Sequence, residues 1–492
     1  MSMRRPKHIL ILHCDQLRAD CLGYAGNPDV KTPHIDALAA DGTVYTEHYT
    51  VYPICTPSRY SLWSGMYVHQ HGAWNNCATL PGGYETFPRI LKNNGYDTAV
   101  VGKMHFTPTY HDIGFNRMRL AEQNGVGRYE DDYHAELTGR GMIDRVDLHH
   151  QSGMFRDKPT TPDYDMFQCG ESDLPEEWYS TAWITRGALD EIRAWDTDGR
   201  HLLMVGYIKP HHPFDPPYPY SRMYDPRAVA LPPGYTETPP ACDTATNGGA
   251  VDYRQMTQRQ LRKAVAYYYA AITQIDDGIG EIVALLKEKG LYDDTMIVFT
   301  SDHGEYLGYH HMLLKCNHLY DPLAKIPLVI KYAGQGPKGA DSRLSENIDV
   351  SATVLRCAGL AAPDSMQGED LLTGCQREFV FSEGQYGSDK KPCMGYMIRD
   401  KRYKLLVRGT LDDGMLFDLQ CDPFELDNMF HDPAYADVLS KMKARLTEKM
   451  LFSGAGKNHC DLSAPRVKSA EETAERADRV KRFVQSRWEQ TP

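Results

Sequence analysis

The stretch His8-Ile9-Leu10-Ile11-Leu12-His13-Cys14-Asp15-Gln16 decides the fold. A short run of branched apolar residues that halts at a polar pair reads as a buried strand delivering functional groups from its carboxyl end. The same grammar recurs three times. Residues 97–101 run into Gly102, Lys103 and His105; 202–208 run into Lys209, Pro210 and His211; 296–300 run into Ser301, Asp302 and His303. Helical patterns lie between them. Over 33–40, Thr32 is the expected cap, Pro33 takes the first turn, Ile35, Leu38 and Ala39 share a face, and Gly42 ends the element. A long helix is expected over 258–289, with Val265, Tyr268, Tyr269, Ile272, Ile275, Ile279 and Ile282 at helical spacing and Gly290 as its stop. Strands alternating with helices give an α/β fold with a mostly parallel or mixed sheet covered on both faces. In such sheets ligands bind outside the carboxyl ends of the strands, where Asp15, Lys103, His105, His211 and Asp302 collect.

Gly, Pro and polar residues punctuate the chain at 334–339 and 361–374. Short strand-like runs follow at 379–382, 396–398 and 403–407, which predict a small antiparallel sheet. Asp422, Pro423 and Glu425 read as a capping signature, and 469–490 as a charged, partly amphipathic helix that offers a surface to a second subunit. The expected organisation is a catalytic unit over 1–375 and a C-terminal subdomain over 376–492 carrying the small sheet and the terminal helix.

The composition narrows the function. Among 492 residues, 66 acidic against 54 basic side chains give a net charge of -12, which argues against nucleic acid and anionic membranes as partners. An anionic substrate then needs a local cluster of positive charge. No run approaches the roughly 20 apolar residues of a membrane span. The 12 cysteines show no C-x-x-C pair or regular spacing, as expected of reduced thiols in a cytoplasmic protein.

Cys55-Thr56-Pro57-Ser58-Arg59 is the most informative stretch for chemistry. Thr56 is a fair N-cap and Pro57 a favoured first helical residue, which places Cys55 just before a helix whose free N–H groups favour an anion. Arg59 then reaches back toward position 55 or an oxyanion held there. From the residues alone, Cys55 is either a nucleophile at a helix N-terminus or a buried structural cysteine.

The C-x-P-x-R pattern resembles the signature of type I, formylglycine-dependent sulfatases of the alkaline phosphatase superfamily. Asp15-Gln16, Gly102-Lys103-Met104-His105, Lys209-Pro210-His211-His212-Pro213 and Ser301-Asp302-His303-Gly304 match that family's other landmarks in order, and Phe417-Asp418-Leu419 with Asp422-Pro423 resembles its C-terminal subdomain. The chain also resembles phosphonate monoester hydrolases. The resemblance implies an alkaline-phosphatase-like α/β/α sandwich and a Cys55 converted to formylglycine by a formylglycine-generating, or sulfatase-maturating, enzyme. It implies a cation held by Asp15, Gln16, Asp302, His303 and residue 55. Carboxylate oxygens suit hard cations. Calcium is the first choice, with manganese or magnesium as alternatives, because His303 and Gln16 stand where the family often has asparagine and aspartate.

By the same resemblance, the hydrated aldehyde at 55 attacks sulfur, Arg59 stabilises it, and Lys103 and Lys315 neutralise the sulfuryl oxygens. His105 assists release of sulfate, His211 with Lys315 protonates the leaving alcohol, and Asn76 contacts substrate beside a second candidate, Asn75. His212 is a candidate to exchange roles with His211. The family's usual Leu-Thr-Gly-Arg element appears here as Trp63-Ser64-Gly65-Met66. The expected substrate is a small-molecule or saccharide sulfate ester, with its organic half met by loops over 107–173 and 218–252. Asp215, Tyr218 and Tyr220 line that pocket or pack through the neighbouring prolines. The alternatives are a phosphonate monoester hydrolase or phosphodiesterase of the same superfamily, and a non-catalytic binding protein on the same scaffold. Lys103-x-His105 favours the sulfatase.

Overall fold

A computed structural model describes residues 4–151, 169–246, 256–315, 318–374, 376–388, 391–451 and 465–489. Parts of the two expected substrate loops, at 152–168 and 247–252, and the end of the expected terminal helix at Gln490 lie outside the described residues.

Twelve strands form two sheets: β1 His8–Asp15, β2 Thr43–Tyr49, β3 Asp97–Gly102, β4 Arg117–Leu120, β5 His201–Pro210, β6 Thr295–Ser301, β7 Leu328–Lys331, β8 Gly339–Glu346, β9 Val380–Ser388, β10 Lys391–Arg399, β11 Tyr403–Arg408 and β12 Thr410–Asp418. The large sheet has the order β4-β3-β5-β1-β6-β7-β2-β8. β1 runs parallel to β5 and β6, and β7 is antiparallel to both β6 and β2, so the sheet is mixed.

β1 is buried along its whole length because it lies at the middle of this sheet. Side chains alternate across a strand, and the two faces feed different cores. Leu10, Leu12 and Cys14 join Leu203, Val205, Ile297 and Phe299 under the helices Ser180–Ala194 and Gln258–Glu288. Ile9 and Ile11 join Leu202, Met204, Met296 and Val298 on the opposite face, with Trp63, Val350 and Val354. This is a sheet sandwiched between helical layers. The Thr257–Gln260 capping box starts the long helix one residue before its first turn.

The first helix, α1 Pro33–Asp41, begins without the expected side-chain cap. Thr32 Oγ1 instead bonds to Asp36 Oδ1 and accepts from Gly23 N, while Asp276 accepts from His34 N and Ile35 N. Capping comes from a distant helix, which a local pattern does not reveal.

The small sheet is antiparallel, in the order β12-β11-β10-β9, and Phe381, Ile398, Leu405 and Leu416 pack with Met442 and Leu446 of the helix Ala436–Leu451. Glu425, expected to cap, is buried and pairs with Lys404 at 2.7 Å while accepting from Asp321 N at 2.8 Å, which ties the small sheet to the large unit. Asp422 does accept from Asp427 N. The terminal helix, Ala470–Glu489, was grouped by sequence with the small sheet and with a surface for a second subunit. Its apolar face, Val480, Val484 and Trp488, packs on Leu148, Tyr129 and Ile143, residues on the other side of the expected division at 375.

Candidate active site

The ends of β1, β3, β5 and β6 meet the N-terminus of helix α2, Cys55–Ser64. Ile54 is the N-cap and Cys55 the first helical residue, two positions further into the helix than Thr56 capping would give. Thr56 N is satisfied by Asn76 Oδ1 at 3.1 Å, so Asn76 caps the helix from outside it. Every residue of α2 is buried, and its hydroxyls bind it to the strand ends: Thr56 Oγ1 donates to His105 O at 2.6 Å and Ser58 Oγ to Asp302 O at 2.7 Å.

Arg59 lies one turn beyond Cys55 on the same face. Its Nε donates to Asp302 Oδ2 at 2.9 Å, one terminal nitrogen to Asp15 Oδ2 at 3.0 Å, and the other to Lys103 O at 2.7 Å. Lys103 Nζ pairs with the same Asp15 oxygen at 2.8 Å. All four side chains are fully buried. Burial works against charge on Asp15, yet Lys103, His211, Arg59 and Lys315 hold its carboxyl well below the usual range. Burial and Asp15 oppose ionisation of the Cys55 thiol, and Lys315, Lys103 and His303 overcome them and push it well down.

The other carboxylate oxygens turn toward position 55. Asp15 Oδ1 lies 3.6 Å from Cys55 Sγ and 3.7 Å from His303 Nε2, and Asp302 Oδ1 is also 3.7 Å from His303 Nε2. His303 Nδ1 is 2.9 Å from Gly304 O, which fixes that nitrogen as the donor and presents Nε2 to the cluster. Gln16 Oε1 is buried and has no hydrogen-bond partner among the described residues. Asp15, Cys55, Asp302 and His303 place one ligand atom each within 4.8 Å of one another. Two carboxylates, one imidazole and the side chain at 55 gather in one place, a donor set that fits a divalent cation, while the Gln16 amide nitrogen faces His212 and Glu305.

Lys315 Nζ closes the cluster at 3.2 Å from Cys55 Sγ, 3.2 Å from His303 Nε2 and 3.0 Å from His211 Nε2. His211 Nδ1 donates to His212 O at 2.6 Å, so its Nε2 accepts from Lys315. Burial, then His212, Lys315 and Lys103, hold His211 well below the ordinary histidine range. The two neighbouring histidines are stacked with ring centres 3.9 Å apart but are not equivalent: His212 Nδ1 faces Gln16 Nε2 at 3.0 Å. Asp215 is buried against Lys209 and Tyr179, Tyr220 bonds to Asp277, and Tyr218 is exposed, so packing accounts for the first two.

Backbone strain marks the same place. Gln16 and His105 have φ of 66° and 57°, a left-handed conformation costing about 1–3 kcal/mol each. Gly102 is required where β3 meets β5: a Cβ there would stand 2.1 Å from Gly206 O. The pair lets Lys103 N bond to Gly206 O at 2.7 Å and turns the lysine inward.

Sequence reasoning missed Glu122 and Gln123, which follow the four-residue β4. Glu122 accepts from Met104 N and His105 N. Gln123 accepts from Lys103 Nζ at 3.4 Å, and its Nε2 donates to His212 O at 2.9 Å and Asp147 Oδ1 at 3.0 Å. One amide thus joins the lysine to the His211-His212 turn. Gln123→Ala should lower kcat by on the order of tenfold to a hundredfold, the scale of small misplacements, without loss of bound metal. Unchanged kcat in steady-state kinetics, or loss of the ion by elemental analysis, would contradict this role.

A sulfatase family model matches residues 7–360. The chain belongs to the sulfatase family. A second model, for the C-terminal part of N-sulphoglucosamine sulphohydrolase, matches 308–451, spanning the small sheet. The chain is 30% identical over 495 residues to a multifunctional alkaline phosphatase superfamily protein of Trinickia caryophylli, covering 88% of this chain and 93% of that one. It is 27% identical to an arylsulfatase of Clostridium perfringens, covering 90% and 94% of the two chains. The phosphonate monoester hydrolase of Silicibacter pomeroyi has the same fold, with a TM-score of 0.76, 28% identity and coverage of 91% and 96%. This sulfatase is therefore an enzyme, a hydrolase of the alkaline phosphatase superfamily. No helix among its described residues is long and apolar enough to cross a membrane.

Proposed function

We propose that this enzyme hydrolyses a sulfate monoester, with Cys55 converted to formylglycine by a maturating enzyme. The observation that carries the reading is the convergence of Lys103, Lys315 and His211 on position 55 at the tip of α2. Asp15, Asp302, His303, Gln16 and residue 55 would hold the cation, with calcium first and manganese or magnesium as alternatives. When bound, such an ion supplies Lewis-acid lowering of a hydroxyl pKa. The hydrated aldehyde supplies one hydroxyl to attack sulfur and another to expel sulfate.

The chain's own side chains do the rest. Arg59 holds Asp15 and Asp302 in place and orients residue 55. Lys103 and Lys315 neutralise the sulfuryl oxygens as charge shifts, without reorganisation, because both are held by buried partners. Lys315 with His211 protonates the departing alkoxide: the ammonium gives up one of its protons, and His211 Nε2, which accepts another N–H of that ammonium, aims it. His105 serves the second half-reaction, release of sulfate. Asn76, which caps α2, is also the substrate contact that the resemblance implies. The organic half is a small molecule or a saccharide; a relative from Formosa agariphila, 27% identical, is named an ulvan-active sulfatase. A cytoplasmic location, and the division at 375/376, belong to the same proposal.

Phosphonate monoester or phosphodiester hydrolysis is the second reading. Gln16, Asn76 and His303 favour it, with the 28% identity to a phosphonate monoester hydrolase. Lys103-x-His105 favours sulfate. The modification is tested by mass spectrometry of the peptide spanning residue 55 from an active preparation. An aldehyde or its hydrate is expected there, and only unmodified thiol would overturn the formylglycine mechanism.

A further inference from the structure

A second set of metal-binding side chains lies where the small sheet meets the catalytic unit. The short helix Ala241–Thr246 brings Cys242 and Asp243, and the segment just beyond Lys315 brings His318. One ligand atom from each lies within 4.8 Å of the others. β12 adds Met415, whose Sδ is 3.8 Å from Cys242 Sγ.

The carboxylate is held as a ligand carboxylate is held. His310 Nδ1 lies 2.8 Å from Asp243 Oδ2, and Tyr320 OH donates to Oδ1 at 2.9 Å. Such outer partners orient a ligating oxygen and leave it a lone pair for an ion. His318 Nε2 stands 3.3 Å from the same Oδ1. That is the edge of a tetrahedron whose centre lies about 2.0 Å from each corner, the distance zinc keeps to nitrogen and oxygen ligands. Asp243, His310, His318, Tyr320 and Met415 are all buried, and Cys242 is half-buried, which leaves an approach for an ion.

We propose that Cys242, Asp243 and His318 bind a zinc ion that fastens the chain just beyond Lys315 to the helix at 241–246. The donor set separates this site from the active-site cluster. There two carboxylates stand beside one imidazole and a residue 55 proposed to lose its thiol, which favours a hard cation, whereas here a thiol and an imidazole outnumber a single carboxylate, which favours zinc over calcium or magnesium. The ion has no part in the chemistry at position 55. It staples the end of the lysine-bearing segment.

The test uses the full chain freed of metal by chelation and reloaded with calcium or with zinc. Alkylation of Cys242 by iodoacetamide is followed by peptide mapping. Zinc should slow it by on the order of tenfold, because a metal-bound thiolate is withdrawn as a nucleophile, and calcium should not. His318→Gln, and separately Asp243→Asn, should abolish the protection. An unchanged alkylation rate with zinc in the unaltered protein would overturn the proposal whether or not either variant folds. Protection that persists in a folded His318→Gln would overturn it too, since zinc would then be held by the thiol without the site.

Discussion

Replacing Asp302 with alanine is expected to abolish turnover and strip the active-site ion, even when the metal is supplied in excess. One carboxylate oxygen takes Arg59 Nε at 2.9 Å; the other accepts from Gln16 N at 3.0 Å and His303 N at 2.9 Å and faces the ligand cluster. Alanine removes a formal charge that no neighbour can replace, and leaves Arg59 with half of its ionic partners in a fully buried position. Breaking a buried pair in this way costs about 3–5 kcal/mol of stability. Three readouts therefore move together: turnover, metal content by elemental analysis, and the denaturation midpoint. Full activity in metal-free protein, or an Asp302→Ala variant that keeps both ion and rate, would refute the assignment.

The second large effect depends on the substrate. If the Lys315–His211 pair protonates the leaving group, His211→Ala should cripple alkyl or sugar sulfates, whose alkoxides leave poorly. Aryl sulfates with electron-poor phenols should lose little. General acid catalysis contributes on the order of a hundredfold to ten-thousandfold, which sets the gap between the two substrate types. His105→Ala should instead slow sulfate release, giving a burst of alcohol and then a slow steady rate with either substrate. Equal losses on both substrate types for His211→Ala, with no burst for His105→Ala, would mean that these roles are assigned wrongly.

The strands of the large sheet that were legible in the sequence are those buried on both faces, and the small sheet was legible as three short apolar runs that fall in β9, β10 and β11. β1, β3, β5 and β6 read as near-continuous apolar runs because helices cover both sides of the sheet. β2 alternates polar and apolar residues near the sheet's far edge, β8 at that edge is largely polar, and β4 and β7 have four residues each, so none stood out. β12 begins with Thr410-Leu411-Asp412-Asp413, exposed residues that read as a loop: β11 pairs with Thr410 and then, after a shift of register, with Gly414 onward.

The active site follows the same division. Asp15, Lys103, His211 and Asp302 were visible because each ends a visible strand. Gln123 lies three residues beyond the end of an invisible one, β4. The capping of α2 by Asn76 joins residues 20 apart through a turn, and the Cys242–His318 cluster joins segments that no spacing rule connects. Long-range convergence of this kind is a property of the packed chain, not of any window of it.

The central claim is hydrolysis of sulfate rather than of phosphonate or phosphate diesters. It is tested most directly by side-by-side turnover of one preparation, with residue 55 shown to be converted, on a sulfate monoester and on a phosphonate monoester and a phosphate diester sharing its leaving group. The lysines facing position 55 and the Lys103-x-His105 pair predict a higher kcat/KM on the sulfate. A higher kcat/KM on the phosphonate or the diester would contradict the account and assign the same site to the second reading.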